Sequence, residues 1–172
     1  MKRSYSLKRL ATSSVIAALY VALTLSLPFL SFGAVQCRIS EALTILPALT
    51  PAAIPGLAVG CAVANLFGMA ASPVGAWDIL IGTCATLLAA LGSYAFRNVK
   101  FKGMPILSAL APVVSNGLIV GGEIALFTMP AGASVFWLTA AQVAAGEALA
   151  CFVLGLPLYA ALNRSNILQR FF

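Results

Sequence analysis

Glu41, Asp78, Glu123 and Glu147 are the only acidic residues in a chain of 172, and each lies in or at the mouth of a long apolar stretch. Carboxylates normally decorate surfaces. Here 62% of residues are hydrophobic, 8% are charged and mean hydropathy is +1.03, so these groups sit where a lipid-facing helix excludes them. A carboxylate at the bilayer centre costs about 2.5–3.5 kcal/mol. Three of them, Glu41, Glu123 and Glu147, together cost about 8–10 kcal/mol, comparable to the net stability of a typical domain. They are therefore expected to face a cavity that binds something. Carboxylates without adjacent cations suit a ligand rich in N–H donors or positive charge, since a guanidine-like edge donates two parallel hydrogen bonds to one carboxylate. A cationic amine, or a purine-like ring near Trp77 or Trp137, fits; an anion does not.

Helical spacing gives the carboxylates companions. Asn116 and Glu123 are seven apart and share a helix face, while Arg38 and Glu41 are three apart and are neighbours. Asn65 is a further amide within an apolar segment. The candidate substrate-binding set is Arg38, Glu41, Asn65, Asp78, Asn116, Glu123, Trp137 and Glu147. Blander roles remain open for some: Arg38 with Glu41 as a structural ion pair, Asp78 as a helix cap at the rim, and Asn65 and Asn116 as interhelical glue. Glu123 and Glu147 have no basic residue at their depth, so recognition is the reading that suits them best.

Other chemistries lack their residues. The chain has no histidine, and Cys37, Cys61, Cys84 and Cys151 form no CxxC pair, so no metal or cofactor is expected and the cysteines read as packing residues. An intramembrane enzyme using Glu147 and Glu123 as acid and base has no nucleophile–base pair to work with, and the chain is not expected to be an enzyme. A stand-alone proton-coupled carrier, with Glu147 as relay, is an alternative. No GxxxxGK[ST] phosphate loop is present, so this chain is not an ATP-driven engine by itself.

The elements that must position these residues are six apolar segments, at residues 10–30, 35–49, 52–71, 77–96, 104–127 and 133–162. They predict an all-α integral membrane protein, a single membrane domain over residues 1–172 built as a bundle of six transmembrane helices. With the amino terminus inside, six crossings put nine of the ten basic residues on the cytoplasmic side and leave only Arg38 outside. Both termini are thus expected to be cytoplasmic. The net charge of +6 reflects this topology and not nucleic-acid binding. Residues 11–30 read as a retained span of about 20 apolar residues, too long for a cleaved signal core.

The second segment is short and Pro-interrupted: about 12 residues, or roughly 18 Å of helix against a core of about 30 Å, precede Pro47. Pro47, Pro51 and Pro55 predict a bent, non-helical stretch packed against protein, a pointer to binding sites in transporters. Small residues at four-residue spacing, Ser14, Ala18, Ala22 and Ser26 in the first segment and Gly56, Gly60, Ala64 and Gly68 in the third, mark faces that another helix can approach closely.

Three runs carry a family resemblance: Val35-Gln36-Cys37-Arg38-Ile39-Ser40-Glu41-Ala42-Leu43-Thr44, Gly60-Cys61-Ala62-Val63-Ala64-Asn65-Leu66 and Asp78-Ile79-Leu80-Ile81-Gly82-Thr83-Cys84-Ala85-Thr86-Leu87-Leu88-Ala89-Ala90. With Gly146-Glu147 in the last segment, they resemble the QueT family of queuosine-precursor transporters. The resemblance implies a substrate-binding S component of an energy-coupling factor (ECF) importer in a bacterial cytoplasmic membrane. It further implies a 7-deazapurine ligand such as preQ1, and power from a membrane coupling subunit and two cytoplasmic ATPases. Ser14, Ala18 and Ala22 resemble the small-residue face by which S components dock on the coupling subunit.

Overall fold

The computed structural model of the chain describes residues 2–32, 36–128 and 133–165. Among these residues there is no strand. The order is α1 (Lys2–Ser26), the single turn α2 (Pro28–Ser31), a 3-10 helix (Ile39–Ala48), α3 (Ala53–Gly68), α4 (Trp77–Ala95), α5 (Ile106–Thr128), α6 (Ala133–Ala148), a π-helical stretch (Leu149–Gly155) and α7 (Leu156–Ser165). The last three run on from one another as a helix of 33 residues. Four segments, Leu7–Ser26, Trp77–Ala95, Ile106–Thr128 and Ala133–Ser165, are long and apolar enough to cross a membrane. The 3-10 helix and α3 occupy the second and third expected segments but are shorter.

The outside is apolar, and the interior holds the acidic and other polar residues beside apolar core clusters. All four acidic residues are at most 3% exposed, whereas Leu19, Leu80, Leu88, Leu126, Leu149 and Val153 lie on the outer surface. α4 shows how the sequence achieves this: Asp78, Gly82, Ala85, Thr86, Ala89, Ala90 and Ser93 form one buried stripe at helical spacing, while Leu80, Leu88 and Leu91 face outward. Lipid solvates that outer face, and the stripe of small and polar residues is left to the bundle interior.

Each irregularity has a local cause. Pro28 supplies no N–H and ends α1 at Ser26, earlier than expected, before opening the α2 turn. From Leu27 the chain doubles back, and the Cys37 N–H donates to the Leu30 carbonyl at 2.9 Å. The expected break after Pro47 does not occur there. Pro47 is held inside the 3-10 helix, which continues to Ala48, and only a tight turn at 49–52 separates it from α3. At about 2.0 Å per residue the ten residues reach roughly 20 Å, and residues 40–47 are all buried. Non-α backbone at membrane depth is tolerated where protein surrounds it, as α1, α4, α5 and the π stretch do here. In the last helix, Pro157 has no N–H for the carbonyl four residues back and crowds it, and the turn before it widens into the π stretch.

Close helix approaches are made where side chains are absent. A Cβ on Gly56 would lie 2.6 Å from the Ser13 carbonyl oxygen, and one on Gly60 would lie 2.9 Å from Tyr20 Cβ. The small-residue face of the third segment therefore packs on α1 within the chain. On α1 itself Ser13, Ile16 and Tyr20 face α3, leaving Ser14, Ala18 and Ala22 exposed on the opposite side.

Candidate functional site

The 3-10 helix carries the centre of the polar cluster. With three residues per turn, side chains three apart lie one above another. Arg38 at its N-cap, Glu41 and Thr44 follow that spacing, and the Thr44 hydroxyl donates back to the Glu41 carbonyl at 2.5 Å. The surrounding helices bring partners. Tyr20 of α1 donates its phenolic O–H to Glu41 Oε1, and the Thr86 hydroxyl of α4 donates to the same oxygen at 3.2 Å. The Thr24 and Ser40 hydroxyls meet at 2.7 Å, tying α1 to the 3-10 helix a turn further on.

Arg38 does not pair with Glu41. Its Nη2 lies 3.5 Å from Asp78 Oδ2, Nη1 donates to Cys61 Sγ at 3.7 Å, and the guanidinium sits 5.1 Å from the centre of the buried Phe32 ring. Asp78 in turn is no helix cap: α4 is preceded by Ala76 at the N-cap position, with no side-chain cap bond. The Asp78 side chain is fully buried and accepts from Ser72 Oγ at 3.3 Å and Asn65 Nδ2 at 3.4 Å, while the same amide donates to the Asp78 carbonyl at 2.7 Å. Its place in the first turn of α4 also sets it at the positive end of the helix dipole. Gly82 leaves the room: a Cβ there would lie 2.2 Å from Asp78 Oδ1 and 2.9 Å from Asn65 Nδ2.

On the other side stand α5 and the last helix. Gly121 packs against Ala140, whose Cα would be 2.5 Å from an added Cβ, and the Thr139 hydroxyl donates to the Gly121 carbonyl at 2.8 Å. That clamp fixes α5 where Asn116 and Glu123 turn inward. Asn116 lies beside both Glu41 and Glu147, and Cys151 Sγ is 3.6 Å from the Glu41 carbonyl and 4.0 Å from Glu147 Oε2. Arg38 and Asp78 lie within electrostatic range of Glu123.

Seven of the eight expected binding residues thus belong to one buried region. Trp137 does not. It is 63% exposed on the outer surface, edge-on to Phe136, and Trp77 likewise stacks outside on Phe127 at 5.5 Å. Both tryptophans stand at the first turn or two of their helices, where interfacial aromatics gather. Tyr20, Phe32, Cys61, Ser72 and Thr86 also belong to the cluster and are not among the residues expected from the sequence. Two had a signal: Thr86 is eight residues from Asp78 and Cys61 is four from Asn65, each on its partner's helix face.

Several polar atoms of this region have no hydrogen-bond partner. The acceptors are Glu41 Oε2, Asn65 Oδ1, Asn116 Oδ1 and both oxygens of Glu123; the donors are Gln36 Nε2 and Nε and Nη2 of Arg38. Buried polar atoms rarely stay unpaired. Glu41 Oε1, by contrast, is saturated, and Tyr20→Phe removes one of its two donors while keeping the ring. The expected cost is about 1–3 kcal/mol, read as a lower midpoint of thermal unfolding in detergent. An unchanged midpoint would show that Tyr20 does not anchor Glu41.

Comparison with curated proteins and with solved structures gave no match. A family model described as QueT transporter matches residues 10–164, which span every helix that supplies a residue to the buried polar region. The chain belongs to the QueT transporter family.

Proposed function

We propose that the chain is the substrate-binding S component of an ECF-type importer and that it captures a 7-deazaguanine such as preQ1 from outside the bacterial cytoplasmic membrane. In this reading the chain crosses six times with both termini cytoplasmic. The observation that carries the substrate class is the surplus of unpaired acceptors over donors around a single arginine. A 7-deazaguanine presents an N–H/NH2 edge and a pyrrole N–H, and its aminomethyl form adds an ammonium. Against these it offers only a carbonyl and a ring nitrogen. Glu41, Glu123 and the amide oxygens of Asn65 and Asn116 answer the donors, and Gln36 and Arg38 answer the carbonyl. Release inside is driven by a membrane coupling subunit and two cytoplasmic ATPases, and the exposed Ser14, Ala18 and Ala22 of α1 are the face offered to that subunit.

The test is direct binding of preQ1, guanine, riboflavin and thiamine to the purified protein, with ligand identification by mass spectrometry after gentle extraction. Tightest binding of preQ1 is expected. Glu41→Gln, Glu123→Gln and Glu147→Gln should each weaken it by about 1–3 kcal/mol where the carboxylate meets the ligand. A preference for either vitamin would remove the substrate claim, and unchanged affinity in all three variants would remove the site.

A further inference from the structure

A groove of about 400 Å³ runs along the outer flank of the bundle between α4 and α5. Its walls include Leu88, Gly92 and Phe96 on one side and Leu107, Val114 and Leu118 on the other, with Ser115 the polar exception. None of these residues belongs to the polar cluster. We propose that this groove binds one acyl chain of an anionic phospholipid, whose phosphate rests on the basic connection between the two helices.

The groove's length fits one leaflet. From Leu88 to Phe96 and from Leu107 to Ile119 the walls extend eight and twelve residues. At about 1.5 Å per residue this is roughly 12–18 Å, half of a hydrocarbon core of about 30 Å. A groove cut for a crossing helix would be expected to continue into the other leaflet.

Charge then selects the lipid. Phe96 and Leu107 mark the end at which the chain passes from α4 to α5, and that connection carries Arg97, Lys100 and Lys102. Every acidic residue of the chain is buried within the bundle, so this surface has cations and no aspartate or glutamate side chain to balance them. The connection is also shaped for the interface. Phe101 and Met104 exchange two backbone hydrogen bonds of 2.9 and 3.0 Å, closing a tight turn through Lys102 at φ 49° and Gly103 at φ 80°. A side-chain-bearing residue is disfavoured in this left-handed region, yet the turn is held, with Lys102 at its tip and Phe101 68% exposed beside it. An aromatic ring beside a lysine matches the boundary between acyl chains and anionic headgroups.

The experiment uses the full chain in nanodiscs containing equal phosphatidylglycerol and phosphatidylcholine, followed by native mass spectrometry of lipids that stay bound. Each cation at an anionic surface is worth about fivefold in affinity, so retention of phosphatidylglycerol should exceed that of phosphatidylcholine at least fivefold. In the exposed-loop variant Lys100→Gln/Lys102→Gln most of that preference should vanish. Ser115→Phe, which fills the groove, should lower retention of both lipids. Equal retention by the unsubstituted chain, or a preference untouched by the lysine pair, would overturn the proposal. So would a photo-crosslinker at Leu118 that captures a protein helix in native membranes in place of lipid.

Discussion

Arg38→Met is expected to destabilise the protein by about 3–5 kcal/mol, the largest loss for any single change in the polar cluster. Among the described residues Arg38 forms the only ion pair between side chains, and it is 4% exposed against an Asp78 that is fully buried. Methionine matches much of its length and keeps the contact with Phe32, so the loss is mainly of charge. Asp78 would retain Ser72 and Asn65 as donors, but two neutral donors do not replace a cation in a site that excludes water. The pair predicts its own rescue. Asp78→Asn in the Arg38→Met background removes the stranded charge, and the double variant should regain most of the lost stability, because replacing both members of a buried pair is often close to neutral. Chemical unfolding in detergent near neutral pH measures all three proteins, and the double-mutant cycle isolates the pair. An Arg38→Met midpoint equal to that of the parent, or a double variant no better than the single, would show that Arg38 does not hold Asp78.

The apolar exterior and the inward carboxylates were legible in composition and helical spacing, because in lipid the sign of the hydrophobic pattern decides which face is buried. Partners were not. Arg38 and Asp78 are forty positions apart and Tyr20 and Glu41 twenty-one, and nothing along one helix reveals what a different helix presents at the same depth. Asp78 opens its apolar segment, and that position alone does not reveal that the loop between α3 and α4 reaches it through Ser72 while Arg38 meets it from the 3-10 helix. An assumption of uniform α-helix hid the geometry of 39–48. A period of 3.6 separates residues three apart by a sixth of a turn, whereas the 3-10 helix stacks them. Trp137 illustrates the opposite error. An aromatic ring suits a purine, but near the start of an apolar helix it equally suits a membrane interface, and its exposure puts it on the outer surface, away from the cluster.

The second large effect concerns a residue without a side chain. Gly146→Ala should abolish ligand binding, with a stability loss of about 1–3 kcal/mol or more. A Cβ at this position would lie 1.8 Å from the Gln36 carbonyl oxygen, 2.8 Å from its carbon and 3.2 Å from Cys37 Cα. All three are backbone atoms, so no rotamer change relieves the clash, and the segment at 36–38 must move away from the last helix. That segment carries Gln36 and Arg38, which hold the cluster's unpaired donors, and the last helix carries Glu147. One methyl group therefore separates the donor side of the site from the acceptor side. Gly155→Ala supplies the comparison, because its Cβ would meet the Ala42 carbonyl at 3.1 Å, a contact that a shift of a few tenths of an ångström relieves. It should cost less and leave binding measurable. Titration of each variant with preQ1, alongside thermal unfolding, separates the effects. If Gly146→Ala lowers the unfolding midpoint while the folded fraction binds with parental affinity, the close approach is structural only. Loss of binding by protein that remains folded would instead locate the ligand where the 36–38 segment and the last helix meet.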